Sequence, residues 1–234
     1  MKICILLASS SLSLSFPSCE GQQAQDPAGA EPAPQQVAAQ EAPAGGCTAT
    51  QCSSATPPTA ESARVRIDLR DAPVAGRSDA PVTVVVYSDF ECPFSARAST
   101  TIAEVQKKYG NKVRVAYKEH PLPMHAHARL AAKAALAADE QGRFWPMHDA
   151  LFGHACAVDQ GALDACAERA GLDMERYHAA LAEPRLEARV DADLAEGHAL
   201  GVAGTPTYFI DGRRVIGAQP LEDLSAVIDD ELTK

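Results

Sequence analysis

Apolar residues near the middle of the chain follow a strand–helix–strand pattern. Residues 82–87 (Val-Thr-Val-Val-Val-Tyr) are β-branched and apolar on both faces, which predicts a strand buried on both sides of a sheet. Pro93 suits the first turn of a helix, and apolar residues then recur at helical spacing until Gly110, where a C-cap is expected. Residues 112–117 alternate and predict the next strand. The helix between them would bury Ala98, Ile102, Val105 and Tyr109.

The pattern predicts further elements on both sides of this unit. Residues 65–69 alternate and predict a strand, and residues 71–79, which contain a proline and a glycine, predict a loop. From residue 125 to residue 201 the apolar spacing is helical, with Asp159 and Asp173 as the expected N-caps of two short helices.

A hairpin and a helix are expected at the C-terminal end. Asp211-Gly212 lies between the apolar segments 208–210 and 214–216, and Asp-Gly in that position is a strong signal for a tight turn. A last helix should begin after Pro220. The predicted order is therefore β-β-α-β, a helical block, and β-β-α.

Composition narrows the class of protein. With 234 residues, of which 46% are hydrophobic and 22% charged, the chain can bury one sizeable core. Its formal net charge is −10, and its basic residues form no cluster. We therefore expect no nucleic-acid partner.

The first 63 residues differ from the rest. Residues 1–19 begin with a charge and an apolar run too short to cross a bilayer, which is typical of a secretion signal. Cys19 lies where a bacterial lipoprotein signal would place its lipidated cysteine. Residues 20–63 are rich in Ala, Pro and Gln and lack aromatic residues, so they are expected to form a disordered linker. The expected location is the bacterial periplasm or envelope.

Cys92 occupies the predicted turn from the central strand into the first helix. Unpaired backbone N–H groups and the helix dipole at that point favour a thiolate, and the pKa of cysteines at helix N-termini falls to about 3.5–7.5. Asp89 and Glu91 oppose this effect unless their carboxylates point to water. Ser95, three residues further on, could donate its hydroxyl to the sulfur. We expect the helix terminus to dominate.

Several motifs together resemble the DsbA-like thioredoxin family over residues 65–234. The motifs are Asp79-Ala80-Pro81-Val82, Asp89-Phe90-Glu91-Cys92-Pro93-Phe94, the run 121–127, Gly142-Arg143-Phe144-Trp145 with His148-Asp149, and Gly204-Thr205-Pro206-Thr207. The resemblance implies an α/β thioredoxin fold in residues 64–234, with a helical insertion at about 124–200.

The resemblance also implies how the site is built. The Thr205–Pro206 bond would be cis and would face Cys92, and its loop would bind an extended substrate segment. Pro93 and a half-exposed Phe94 would contact the same substrate. The family usually has a second cysteine three residues after the first, but this chain has Ser95 there.

A serine cannot resolve a mixed disulfide, so three routes remain open. The second thiol of a protein substrate can resolve it, which gives isomerisation. A small thiol such as glutathione, or a membrane-bound redox partner, can do so. Another cysteine of this chain is the third route. No other cofactor is expected.

The remaining cysteines suggest pairs. Cys156 and Cys166 flank a loop in the helical block and are expected to form a structural disulfide in an oxidising compartment, the alternative being two unpaired buried thiols. Cys47 and Cys52 are expected to pair with each other, although either could instead resolve Cys92.

Two other functions stay open, and a metal site is not expected. The histidines at 120, 125, 127 and 148 lack a zinc spacing, although His125 could lie near the thiol. Kappa-class glutathione transferases and 2-hydroxychromene-2-carboxylate isomerases resemble the same fold group, and Pro93 and Ser95 fit their motif, but Cys92 does not. The chain could also be a non-catalytic binding or chaperone module.

Overall fold

A five-stranded mixed sheet forms the centre of the protein in a computed structural model, which describes residues 64–153 and 159–234. The strand order is β1-β3-β2-β4-β5; β2 and β3 are parallel, and every other neighbouring pair is antiparallel. The strands are β1 (Val74–Ala75), β2 (Val82–Ser88), β3 (Val113–Glu119), β4 (Thr207–Ile210) and β5 (Arg213–Ile216).

Seven α-helices accompany the sheet in the described part of the chain. Five of them, α2 to α6, lie between β3 and β4, where the helical insertion was predicted. A short 3₁₀ helix, Gly110–Lys112, follows α1. The α-helices are α1 (Pro93–Tyr109), α2 (Ala128–Asp139), α3 (Phe144–Phe152), α4 (Gln160–Arg169), α5 (Met174–Leu181), α6 (Pro184–Ala199) and α7 (Leu221–Leu232).

The central strand β2 is buried on both faces, as its continuous apolar sequence predicts. Val84 and Val86 belong to the larger apolar cluster, which also contains α1 and the insertion, whereas Val85 and Tyr87 belong to a smaller cluster on the other face. The buried positions of α1 include all four that helical spacing predicted. The fold prediction is therefore confirmed at the element that carries Cys92.

The local signals for helix starts and for the hairpin are also confirmed. The Asp159 side chain accepts from Ala162 N, and the Asp173 side chain accepts from Arg176 N, so both residues are N-caps. At the hairpin turn, Asp211 and Gly212 have φ values of 43° and 84°, which Asp and Gly tolerate best.

Two predictions for residues 65–79 were wrong. Residues 65–69 form no strand; their alternating side chains Val65, Ile67 and Leu69 instead pack on the smaller apolar cluster. Within the predicted loop, β1 pairs antiparallel with β3. Alternation reports only that one side of a segment is buried, and a segment lying across a sheet face satisfies it as well as a paired strand does.

Several predictions fall outside the described residues. These include the signal segment, the linker, Cys19, Cys47, Cys52 and Cys156. Within residues 64–153 and 159–234, no helix has the length and apolar character needed to cross a membrane.

Candidate active site

Cys92 is the N-cap residue of α1, four residues after β2 ends. Its backbone is extended (φ −75°, ψ 120°), and its own side chain makes no capping hydrogen bond. The turn is closed by Cys92 N donating to Asp89 O at 3.1 Å and by Ala96 N donating to Cys92 O at 3.0 Å. Cys92 is a free cysteine.

The loop before β4 lies directly against this sulfur. The Thr205–Pro206 peptide bond is cis, and the Cys92 thiol donates to Thr205 O over 3.4 Å. The Thr207 hydroxyl donates to Gly204 O at 2.7 Å, and Gly217 N donates to Pro206 O at 2.9 Å, so the loop is held from both sides. Both features implied by the family resemblance, the cis bond and its contact with Cys92, are present.

Burial divides the predicted substrate-binding residues into two groups. Pro93 and Phe94 face solvent, and Phe94 is 52% exposed, with the Arg97 guanidinium 4.7 Å from its ring centre. Thr205 and Pro206 are buried. Cys92 is only 3% exposed, which is less than we expect for a nucleophile that a substrate must reach. Pro93 and Phe94 thus form exposed surface next to Cys92 in sequence.

Ser95 is buried at the position of the missing second cysteine. Its Oγ accepts from Asp89 N at 3.4 Å, and no hydrogen bond joins its side chain to that of Cys92 among the described contacts. Because a hydroxyl has two lone pairs and one hydrogen, the hydrogen of Ser95 stays available for donation. Donation from Ser95 to a Cys92 thiolate therefore stays a prediction.

The Asp89 carboxylate does not point to water, which corrects the sequence-based assumption. It is fully buried and accepts from Glu91 N (2.8 Å), from Leu122 N (2.7 Å) and from His125 Nδ1 (2.8 Å). Three donors disperse its negative charge next to the cysteine turn. Glu91 is likewise engaged, because its carboxylate accepts from His127 N at 2.6 Å. Both acids thus fasten the loop after β3 to the cysteine turn.

The histidines do not gather at one site, and each has different neighbours. His148 is packed within an aromatic cluster of Phe90, Tyr117, Phe144, Trp145 and Phe152. Burial lowers the pKa of His120 to about 4, with His198 adding to the shift, so its imidazole is neutral at physiological pH. No group of three or more potential metal ligands occurs in the described residues.

A buried charged network at the end of β3 was not predicted. Lys118 Nζ lies 2.9 Å from an Asp193 oxygen and 3.1 Å from a Glu196 oxygen. Burial alone would lower the pKa of Lys118, but Asp193 and Glu196 raise it overall. Tyr87 donates to Glu196 at 2.9 Å. The sequence signal was weak: two acids three residues apart on α6.

Glu119, next to that network, is a buried carboxyl without a hydrogen-bond partner among the described residues. Its backbone N–H donates to Asp193 at 3.0 Å. Burial raises the pKa of Glu119 well above its usual value, and the negative charge of Asp193 adds to the effect. Burial therefore favours the neutral form of the Glu119 carboxyl.

Cys166 is disulfide-bonded. Cys156, its predicted partner, lies outside the described residues, so that pairing stays a prediction.

Comparisons with known proteins place the chain in a family. The sequence model of the thioredoxin family matches residues 69–230. The chain is 42% identical over 156 residues to the Na⁺/H⁺ antiporter NhaA 3 of Salinispora tropica, a match that covers 66% of this chain and 24% of that protein. The chain thus spans about a quarter of that relative's length, and the antiporter's transport activity does not follow from the match.

Solved structures agree with the family assignment. A thioredoxin-like oxidoreductase from Silicibacter pomeroyi superposes with a TM-score of 0.66 at 29% identity, covering 70% of this chain and 94% of the other. The thiol-disulfide exchange protein α-DsbA2 from Wolbachia pipientis gives a TM-score of 0.62 at 20% identity, with 68% and 86% covered. The chain therefore belongs to the thioredoxin family, and its fold is that of the DsbA-like thiol–disulfide oxidoreductases.

Proposed function

We propose that the protein is an exported thiol–disulfide oxidoreductase that acts on protein substrates through Cys92 alone. The observation that carries this proposal is the free Cys92 thiol at the start of α1, hydrogen-bonded to the carbonyl that precedes a cis proline. Ser95 at the third following position distinguishes it from a two-cysteine enzyme.

The first chemical step is attack by the Cys92 thiolate on one sulfur of a client disulfide. The client S–S bond breaks, a Cys92–client disulfide forms, and the other client sulfur leaves as a thiolate that takes up a proton from solvent. The N–H groups of the first turn of α1 stabilise the negative sulfur before attack. The Thr205–Pro206 loop aligns the client backbone beside it.

The second step needs a thiol that Ser95 does not supply. If a second client thiolate attacks the client sulfur of the mixed disulfide, a new client disulfide forms and Cys92 leaves as a thiolate. The net reaction is then isomerisation, with no change in oxidation state. Glutathione, the alternative thiol, would leave the client glutathionylated and would make it a co-substrate. Resolution by Cys47 or Cys52 remains the third route.

Exposed apolar side chains around the cysteine support protein substrates. Phe94 lies two residues after Cys92, and Met124 (74% exposed) lies in the loop that Asp89 holds. Ile216 (61% exposed) pairs in register with Thr207, next to the cis proline. Exposed apolar groups clustered near a site are typical of a surface that contacts partly unfolded chains.

Export and a membrane tether belong to the same proposal. The disulfide at Cys166 fits an oxidising compartment, where structural disulfides persist. Residues 1–19 would direct secretion, Cys19 would carry lipid, and residues 20–63 would give the domain reach from the membrane.

Refolding of a client with scrambled disulfides tests this function. The protein should speed recovery of the native client without an added oxidant, and glutathione should not be required. Cys92→Ser should remove the effect. A requirement for stoichiometric glutathione would assign the monothiol route instead, and a wild-type protein that does nothing in either condition would overturn the proposal.

The low exposure of Cys92 favours a second candidate, a binding or chaperone module. Such a module would hold clients on the apolar residues around the cysteine without thiol chemistry. Client binding that is unchanged in Cys92→Ser, together with the absence of disulfide turnover in the wild type, would assign this function.

A further inference from the structure

Ser95 is one of the residues that line a small cavity. About 10 Å³ of it is available to the centre of a water molecule. The remaining walls are apolar, and the polar lining residues are Ser88, Ser95, Ser99, Tyr117, Trp145 and His148. A cavity needs about 10–15 Å³ on this measure, with two to four polar partners, to hold one ordered water. The space therefore has the size for a single molecule.

Two polar atoms of this lining have no hydrogen-bond partner within the described residues. They are the Tyr117 hydroxyl and Trp145 Nε1. Tyr117 is 1% exposed, and burial raises its pKa well above the usual value despite a weaker opposing effect of the neighbouring Ser88 side chain, so its hydroxyl stays a donor. The Ser88 side chain nevertheless forms no hydrogen bond of normal geometry with it. Because leaving a buried donor unpaired is unfavourable, two such donors on residues that line one cavity point to a shared acceptor.

The hydrogen-bonding capacity of Ser95 fits the same arrangement. One lone pair of its Oγ accepts from Asp89 N. The second lone pair is then open to a donor from the cavity. With both lone pairs filled, the Ser95 hydroxyl hydrogen has to be donated elsewhere, and Cys92 lies one turn earlier, at the start of the same helix.

We propose that the cavity binds one structural water, which accepts from Tyr117 and Trp145 and donates to Ser95, and that Tyr117 thereby positions the Ser95 hydroxyl as a donor to Cys92. The expected effect on the rate of disulfide exchange rests on the proposed function, whereas the water site does not. Tyr117 acts through Ser95 and does not touch the client, so it is a positioning residue.

A crystal structure of the reduced protein at better than 1.5 Å resolution tests the water directly. Density should show one water within hydrogen-bonding distance of Tyr117 Oη, Trp145 Nε1 and Ser95 Oγ, and it should be lost or displaced in Tyr117→Phe. A dry cavity in the wild type would overturn the proposal, whatever the activity of the protein.

A double-mutant cycle tests the positioning role. The readout is the rate at which Cys92 reacts with an aromatic disulfide that releases a coloured thiolate. Tyr117→Phe should slow this reaction about 2- to 10-fold, the effect of one hydrogen bond, and should have no further effect in a Ser95→Ala background. Additive losses would overturn the role of Tyr117.

Tyr177→Phe is the matched control. Its hydroxyl is also buried and without a partner in the described part of the chain, but it lies on α5 and does not line the cavity. It should leave the rate unchanged, and an equal loss in this variant would assign the Tyr117 effect to general packing. An unreactive wild-type Cys92 would instead refute the proposed function and leave the crystallographic result to decide the water site.

Discussion

The neighbouring parallel strands β2 and β3 end at the same edge of the sheet but carry different chemistry there. Beyond β2, the side-chain contact of Cys92 is a backbone carbonyl, and the nearby Asp89 charge is covered by three donors. At the end of β3, Lys118 is buried with Asp193 and Glu196. The sulfur thus contacts a neutral carbonyl, whereas the ion pairs of Lys118 hold α6 to the sheet. Substitutions beyond β2 should therefore affect disulfide exchange, and substitutions at the end of β3 should affect stability.

Cys92→Ser should give the largest functional change. We expect disulfide exchange to fall to the uncatalysed rate, because a serine oxygen cannot form the mixed disulfide. The free energy of unfolding should change by less than about 1 kcal/mol, since the serine hydroxyl can keep the bond to Thr205 O. Refolding assays and urea denaturation measure the two effects, and residual turnover above a tenth of wild type would contradict the assignment.

Lys118→Met should give the largest loss of stability. Removing the cation leaves the buried Asp193 carboxylate without its charged partner and takes one partner from the partly buried Glu196, which costs about 3–5 kcal/mol. The exposed pair Arg77–Asp79 offers a control, because Arg77→Met should cost less than about 1 kcal/mol. Chemical denaturation of both variants measures the difference. Equal effects would show that the buried network contributes no more than a surface ion pair.

Glu119→Gln should be more stable than wild type, by a margin that grows as the pH rises. The pKa of Glu119 is higher in the folded state than its usual value of 4.5, so between these values the folded state binds more protons, and raising the pH destabilises it. One such proton gives a slope of at most about 1.4 kcal/mol per pH unit. The variant should match wild type below pH 4 and exceed it above pH 5. A constant difference at all pH values would contradict this.

Phe94→Ala should have the smallest effect, confined to client binding. The half-exposed ring contributes apolar contact area, so we expect the Michaelis constant for a peptide disulfide to rise about 3- to 10-fold. The rate with a small aromatic disulfide should change little. Val74→Ala, which removes an exposed apolar residue on the edge strand β1, is the control. A loss of the same size in both variants would mean that Phe94 does not contact the client.

Sequence patterns predicted those parts of the site that depend on neighbours along the chain. The turn at Cys92 follows from a buried strand, a proline and helical spacing within 30 residues. The contact with Thr205, 113 residues away, came only through the family resemblance. The periodicity of apolar residues does not reveal that Cys92 and Thr205 meet.

The contacts that were missed join segments far apart in sequence. Asp89 meets Leu122 and His125 over separations of 33 and 36 residues, and Lys118 meets Asp193 over 75. Hydrophobic periodicity gives the buried face of each segment but not which polar groups meet when the segments pack. The alternation at residues 65–69 failed for the same reason, because it does not distinguish a paired strand from a segment on a sheet face.

The lifetime of the mixed disulfide tests most directly whether Cys92 works without a resolving partner. Wild type and Ser95→Cys would each react with a peptide whose single cysteine is activated as a mixed disulfide with an aromatic thiol, so that the aromatic thiolate leaves and the bound peptide keeps no free thiol. The masses of the intact, acid-quenched products would then be measured. We predict that the wild-type adduct persists until a thiol is added, whereas Ser95→Cys releases the peptide and ends two mass units lighter. Spontaneous discharge of the wild-type adduct, with a new disulfide between Cys92 and Cys47 or Cys52, would contradict the single-cysteine mechanism.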